Sequence, residues 1–160
     1  MAEEKIKTEK PVKKDQKTAK IAVIRVRGLV RLNTDVKQTL DMLRLYRKNY
    51  CIILENTPTN IGMLRKVKDY VTWGALTEET YKELLDKKAE EYKGRTQDSK
   101  GKINYSGKYK EVDGKKIKPY FRLNPPVKGF GRKGIKTPFT VGGALGDRKE
   151  KVNDLIKRML

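Results

Sequence analysis

Between Lys20 and Gly74 the chain alternates apolar runs of two periods. Ile21-Ala22-Val23-Ile24-Arg25-Val26-Arg27 is rich in β-branched residues and stops at Gly28, which predicts a strand. A period of two puts Ala22, Ile24 and Val26 on one face and Val23, Arg25 and Arg27 on the other. Asn33 or Thr34 then offers a helix cap, with Asp35 favourable in the first turn. Val36, Leu40, Leu43 and Tyr46 recur at helical spacing, and Arg44, Arg47 and Lys48 lead to a stop at Asn49. Tyr50-Cys51-Ile52-Ile53-Leu54-Glu55 predicts a second strand. Thr57-Pro58 opens a second helix, a cap followed by a residue whose φ is already helical, with Ile61, Leu64 and Val67 on one face. Tyr70-Val71-Thr72-Trp73-Gly74 predicts a third strand. The order β-α-β-α-β implies a small α+β layer with its helices packed on one side of the sheet.

Beyond this core the pattern changes. Residues 77–93 form an amphipathic helix capped by Thr77, with Glu78 and Glu79 at its positive end and Tyr81, Leu84, Leu85 and Lys88 on its inner side. From 94 to 118 turn residues outnumber apolar anchors, so a loop or weak hairpin is expected. Tyr120-Phe121-Arg122-Leu123 reads as a short strand ended by Pro125-Pro126. Asp147-Arg148-Lys149-Glu150 is a capping-box pattern opening a helix with Val152, Leu155, Ile156 and Met159 on one face. The expected organisation is a basic, solvated tail over 1–19, a core over 20–76 and an extension over 77–160. That extension comprises the helix 77–93, basic loops over 94–146 and a C-terminal helix over 147–159. Residues 20–93 hold most of the periodic apolar positions and are expected to fold without a partner.

Charge separates these parts further. The 160 residues carry 39 Lys and Arg against 20 Asp and Glu, with no His, for a formal net charge of +19. More than half of that excess lies in residues 94–136, where 13 basic residues face 3 acidic ones. Such a segment repels itself when free and is neutralised on a polyanion, where each paired phosphate releases a condensed counterion. Helix 77–93, with a net charge of −2, is expected to point away from that partner. The apolar runs are too short to span a bilayer. Met1 to Lys20 mixes Lys and Glu without an apolar stretch, unlike a secretory signal. A lone cysteine, Cys51, fits a reducing, cytoplasmic setting.

Signals of enzymatic chemistry are weak. Gly129-Phe130-Gly131-Arg132-Lys133-Gly134 spells a dinucleotide-binding G-x-G-x-x-G, but that fingerprint needs a strand before it and a helix beginning within it. Here Pro125-Pro126 precede it and Pro138 follows. It reads instead as a flexible loop whose backbone approaches phosphates, with Lys128, Arg132, Lys133 and Lys136 beside it. Gly142-Gly143-Ala144-Leu145-Gly146 is either an anion seat before a helix or a plain turn. Cys51 has no His to activate it, and one Cys without His makes no structural zinc site. No catalytic residue, cofactor or metal is expected. Trp73 reads as core packing rather than base stacking. Arg25 and Arg27, opposite the apolar face and followed by Gly28 and Arg31, suggest a sheet face or edge that meets phosphate, for which the planar guanidinium is suited. Tyr105, Tyr109, Tyr120, Phe121 and Phe130, interleaved with Lys, are candidates for stacking on unpaired bases or for anchoring the extension, Phe121 above all the latter.

Several of these segments match one family. Val26-Arg27-Gly28 with the capped helix after it, Asn56-Thr57-Pro58 with Gly62-Met63-Leu64-Arg65 and Val67, and Tyr70-Val71-Thr72-Trp73-Gly74 resemble the bacterial ribosomal large-subunit family thirty, whose eukaryotic counterpart is numbered seven. A second block resembles the extension of archaeal and eukaryotic members: Phe121-Arg122-Leu123 with Pro125-Pro126, the basic Gly-rich loop, Gly142-Gly143 and Leu155-Ile156-Lys157-Arg158-Met159. The short length is similar to archaeal members. The resemblance implies a three-stranded, largely antiparallel sheet with the first strand central, two helices on one face and rRNA on another. It implies a non-catalytic structural constituent of the large subunit, one copy per ribosome, among neighbouring ribosomal proteins and away from membranes. Its rRNA-binding residues would be Arg25, Arg27, Gly28, Arg31, Arg65, Arg122, Lys128, Arg132, Lys133 and Lys136. A chromatin-type DNA-packing protein and an RNA-modifying enzyme are the rival classes. The first predicts equal affinity for duplex DNA, and the second requires a cofactor pocket or general base that the chain does not display.

Overall fold

A computed structural model describes residues 20–112 and 114–160; the expected basic tail, 1–19, lies outside the described residues. The strands are β1 (Lys20–Arg25), β2 (Tyr50–Glu55), β3 (Val71–Ala75), β4 (Lys110–Val112), β5 (Lys115–Ile117), β6 (Phe121–Arg122) and β7 (Gly146–Asp147). The α-helices are α1 (Thr34–Met42), α2 (Pro58–Lys66), α3 (Glu78–Lys88) and α4 (Val152–Lys157). The expected α+β fold is present, and β1 is central as the resemblance implied. The sheet is larger than three strands: its order is β6-β2-β1-β3-β7, antiparallel except where β7 runs parallel to β3. Ile21 pairs with Leu54 on one side and Ala75 on the other, and Ile24 with Cys51 and Thr72. Of the two added strands, β6 is the short strand expected over 120–123, and β7, only two residues long, is too short for any periodic signal.

Both faces of the sheet are covered. Ile21, Val23 and Ile52 pack with Leu40, Leu43, Leu45, Leu64 and Val67 of the α1 and α2 segments. Ala22, Ile24, Cys51 and Ile53 pack with Leu84 of α3, Phe121 and Leu123, and Val152, Leu155, Ile156 and Met159 around α4. The expected pair of helices on one face is present. The opposite face is not open to RNA, because the extension closes it. Residue 76 therefore divides the sequence but not the core.

Element boundaries follow local chemistry. Thr57 Oγ1 accepts from Asn60 N at 3.3 Å, and Thr77 Oγ1 from Thr80 N at 3.5 Å, as N-caps do. Helix α1 stops at Met42, well before Asn49, because Arg44 takes a left-handed φ of 59°. That break lets Leu45 join Leu40 in the core; a continuing helix would turn it away. Helix α3 ends at Lys88 rather than 93, because Glu90 O and Tyr92 N pair with Lys118 N and Lys116 O, both at 2.9 Å. The weak hairpin expected within 94–118 is the β4–β5 ladder. The expected helix from Asp147 begins as a 3₁₀ turn, Lys149–Lys151, with Asp147 Oδ1 accepting from Lys149 N at 2.8 Å before α4 starts.

Candidate nucleic-acid interface

A cationic surface is built by the stretch between β6 and β7. After Leu123 the chain runs beside the end of α4: Asn124 N donates to Met159 O at 2.9 Å and Val127 N to Arg158 O at 3.1 Å. It then turns through two left-handed residues, Lys128 (φ 65°) and Gly129 (φ 73°). Phe130 packs against Val26, Ala144 and Leu145. Gly131 lies so close to residues 142–143 that a Cβ there would sit 2.5 Å from Gly143 O. Lys133 N donates to Gly142 O at 3.2 Å, and Ala144 N and Leu145 N both donate to Thr137 O, so residues 129–146 form a double loop closed on its own backbone. No helix begins within the G-x-G-x-x-G, whose two outer glycines both have positive φ. The dinucleotide geometry is absent. The glycines serve turns and a backbone contact, and Gly142-Gly143 forms part of the double loop rather than an isolated anion seat.

Two arginines lock this loop from beneath. Arg148 is 4% exposed; its guanidinium donates to Thr72 Oγ1 at 3.0 Å, to Phe130 O at 2.7 Å and to Ala144 O at 3.1 Å, and lies over the Phe139 ring. Burial, with Arg158 nearby, lowers its pKa to about 10, so it stays cationic at neutral pH. Arg158 donates to Val127 O at 3.2 Å and Gly129 O at 3.1 Å. Together with Lys128 and Arg132 they line a concavity that contains no carboxylate. Lys133 and Lys136 are exposed on the same loop. Fixed cations without counter-charges raise the local potential, which favours an anion there. Both ion pairs among the described residues go to one carboxylate, Glu90, at 2.6 Å from Lys118 and 3.3 Å from Arg122.

The other expected contacts are distributed differently. Arg25 is fully buried rather than on an open face. Its guanidinium donates to the carbonyls of Arg27, Leu45, Tyr46 and Gly28, the second and third of which are available because α1 ends early. It has no face left for phosphate. Arg27 is half-buried, donating to Asp69 O at 3.2 Å and lying over the Tyr70 ring. Gly28 and Arg31 are exposed, on a segment that leaves β1 beside Val26 and hence beside the double loop. Arg65 borders a separate depression with Trp73, Asp147 and Glu150, and Arg122 stands on the β6 edge beside Glu90. Neither joins the cluster. Trp73 packs with the α1–α2 side of the core. Cys51 is buried, and burial pushes its thiol up to about 12, which leaves it protonated and unreactive at neutral pH. Phe121 is a core anchor. Two of the cluster's cations, Arg148 and Arg158, carry no signal of this role in the sequence: the first sits inside a capping-box pattern, the second is next to the inward stripe Leu155, Ile156, Met159. Among the described residues no helix is long and apolar enough to cross a membrane.

The chain is similar to known proteins of one family. A family described as ribosomal protein L30p/L7e matches residues 21–71, from β1 through α2 to the first residue of β3. Similarity continues through the extension. The large ribosomal subunit protein uL30 of Nanoarchaeum equitans is 46% identical over 87% of this chain and 97% of its own length. That of Methanopyrus kandleri is 39% identical over 84% of this chain and 100% of its own, and that of Methanococcus maripaludis 40% over 87% and 98%. A sheet built around β1, closed by an extension that these relatives share, places the chain in the L30p/L7e family of ribosomal proteins.

Proposed function

We propose that this chain is a non-catalytic structural component of the large ribosomal subunit that binds folded rRNA in the cytoplasm. It would act as one copy among neighbouring ribosomal proteins. The observation that carries the reading is the carboxylate-free concavity of Lys128, Arg132, Arg148 and Arg158. There, a self-closed loop presents cations at fixed positions to a polyanion. Arg27, Gly28 and Arg31 extend the surface from the adjacent segment. Because the loop is pre-built, its contacts carry little of the ordering cost, roughly 1–2 kcal/mol per backbone residue, that a free basic tail would incur. Duplex RNA offers phosphates and 2′-hydroxyls more readily than base edges, so shape would dominate over sequence in recognition. Arg65 and Arg122 would contribute only isolated phosphate contacts away from this surface.

Filter binding of an rRNA fragment across a salt series tests the reading. Replacing Lys128, Arg132, Lys133 and Lys136 with Ala should flatten the log–log salt slope by about 0.7–0.9 for each phosphate that is no longer neutralised. An unchanged slope removes the loop from the interface. Equal affinity of the wild type for duplex DNA and folded rRNA would favour the DNA-packing class instead.

A further inference from the structure

A second concave site lies apart from the double loop and has different chemistry. Its walls are tyrosines. Tyr50 and Tyr120 stack with ring centroids 5.0 Å apart and planes 13° from parallel, and Tyr46 meets Tyr120 edge-on at 6.3 Å. Tyr92, also lining the cleft, is backed by Tyr109, stacked at 5.6 Å. The rim carries Arg44, Lys108 and Lys118; no carboxylate lines the cleft itself, although Lys118 is ion-paired to Glu90 behind it at 2.6 Å. Tyr46, which meets Tyr120 only edge-on, is 44% exposed.

The walls come from distant parts of the sequence and are tied together. Arg44, held in its left-handed conformation at the end of α1, donates from its guanidinium to Gly107 O, linking the Tyr46 side to the turn that bears Lys108. Tyr92 N donates to Lys116 O at 2.9 Å, fixing the opposite wall to the β4–β5 hairpin. An aromatic cleft with a cationic rim repels a basic peptide and offers a purely apolar one a charged border. It suits a flat, polarisable ring attached to negative charge. Stacking of bases on aromatic side chains tolerates any sequence, because every base has a π-face. A base inside a duplex cannot present that face, so the ligand must be unpaired.

We propose that the cleft between Tyr46, Tyr92 and Tyr120 stacks the base of an unpaired nucleotide, with Arg44 and Lys108 meeting its flanking phosphates. This rests on the RNA-binding reading above and adds the place and class of one nucleotide. The probe is an RNA hairpin with a single bulged 2-aminopurine, compared with the same hairpin without the bulge, bound to the full chain at fixed salt. The wild type should bind the bulged hairpin about tenfold more tightly than the continuous one and quench the fluorescence of the bulge. Tyr46→Leu and Tyr92→Leu should each abolish most of the preference and the quenching while keeping affinity for the continuous hairpin, which also reports that they fold. Tyr46→Phe and Tyr92→Phe should retain both signals. Leu variants that still quench and still prefer the bulge would overturn the proposal, as would a wild type that prefers neither RNA. In the latter case salt-dependent binding to both hairpins leaves the RNA-binding reading standing, whereas binding to neither removes both.

Discussion

A guanidinium buried without a carboxylate partner must be satisfied by dipoles, and Arg25 is satisfied by four carbonyls. Removing it strands the Leu45 carbonyl in the interior and leaves the other three partly buried without their donor, where an unsatisfied buried group costs about 1–3 kcal/mol. Arg25→Met should therefore cost the free protein about 3 kcal/mol, seen as a lower urea midpoint at unchanged m-value, with the RNA salt slope unaltered. A stable variant with weakened RNA binding would return Arg25 to the interface. Period two alone could not decide this: it separates Arg25 from Ala22 and Ile24 but is silent on whether the second face is covered. Cys51 offers a test by pH. Its thiol sits at about 12 in the fold, against about 8.5 in an unfolded chain. Below the lower value both states hold the proton and pH has no effect through this group. Between the two values only the unfolded chain loses it, so stability falls as pH rises, by up to about 1.4 kcal/mol per unit. Cys51→Ala lacks that loss, so the stability gap between wild type and variant should narrow from pH 9 to 10 in parallel urea melts. A constant gap would mean that the thiol titrates normally.

The starts of α2 and α3 are legible in the sequence, whereas the ends of α1 and α3 are not. The Thr57 and Thr77 caps are where cap chemistry puts them, whereas α1 and α3 stop short because Leu45 and Tyr92 gain tertiary partners that no local pattern encodes. The double loop shows the same limit: its glycines are visible in the sequence, but the contact between Gly131 and Gly143 joins residues that only the fold brings together. That contact predicts a selective lesion. Gly131→Ala forces a methyl against a backbone carbonyl that is itself held by the loop, a misfit costing about 1–3 kcal/mol. The lesion should show as a flattened salt slope for rRNA, while amide exchange in β1 to β3 stays as slow as in the wild type. Unchanged binding would mean that the cations do not depend on the closure of the loop.

At the scale of the whole molecule, the two apolar clusters on either side of the sheet draw on different stretches of sequence. The fully buried members of one end at Val71; the other needs Ile117, Phe121, Leu123 and residues 152–159. A fragment of residues 20–93 would leave Ala22, Ile24, Cys51 and Ile53 covered by α3 alone. It should give no cooperative urea transition, against the expectation from periodicity alone, whereas the full chain should unfold cooperatively without RNA. A sharp transition in the fragment would show that α3 suffices as a cover. The late closure of that face also has a meaning in time. The central strand is made early, and α4, which roofs it, is made more than a hundred residues later. At roughly 5–20 residues per second of synthesis, the gap is on the order of ten seconds. Through that interval a nascent chain carries an incompletely covered, β-branched sheet surface together with its growing positive charge. This is a window in which the finished protein's most protected residues are its most adhesive ones.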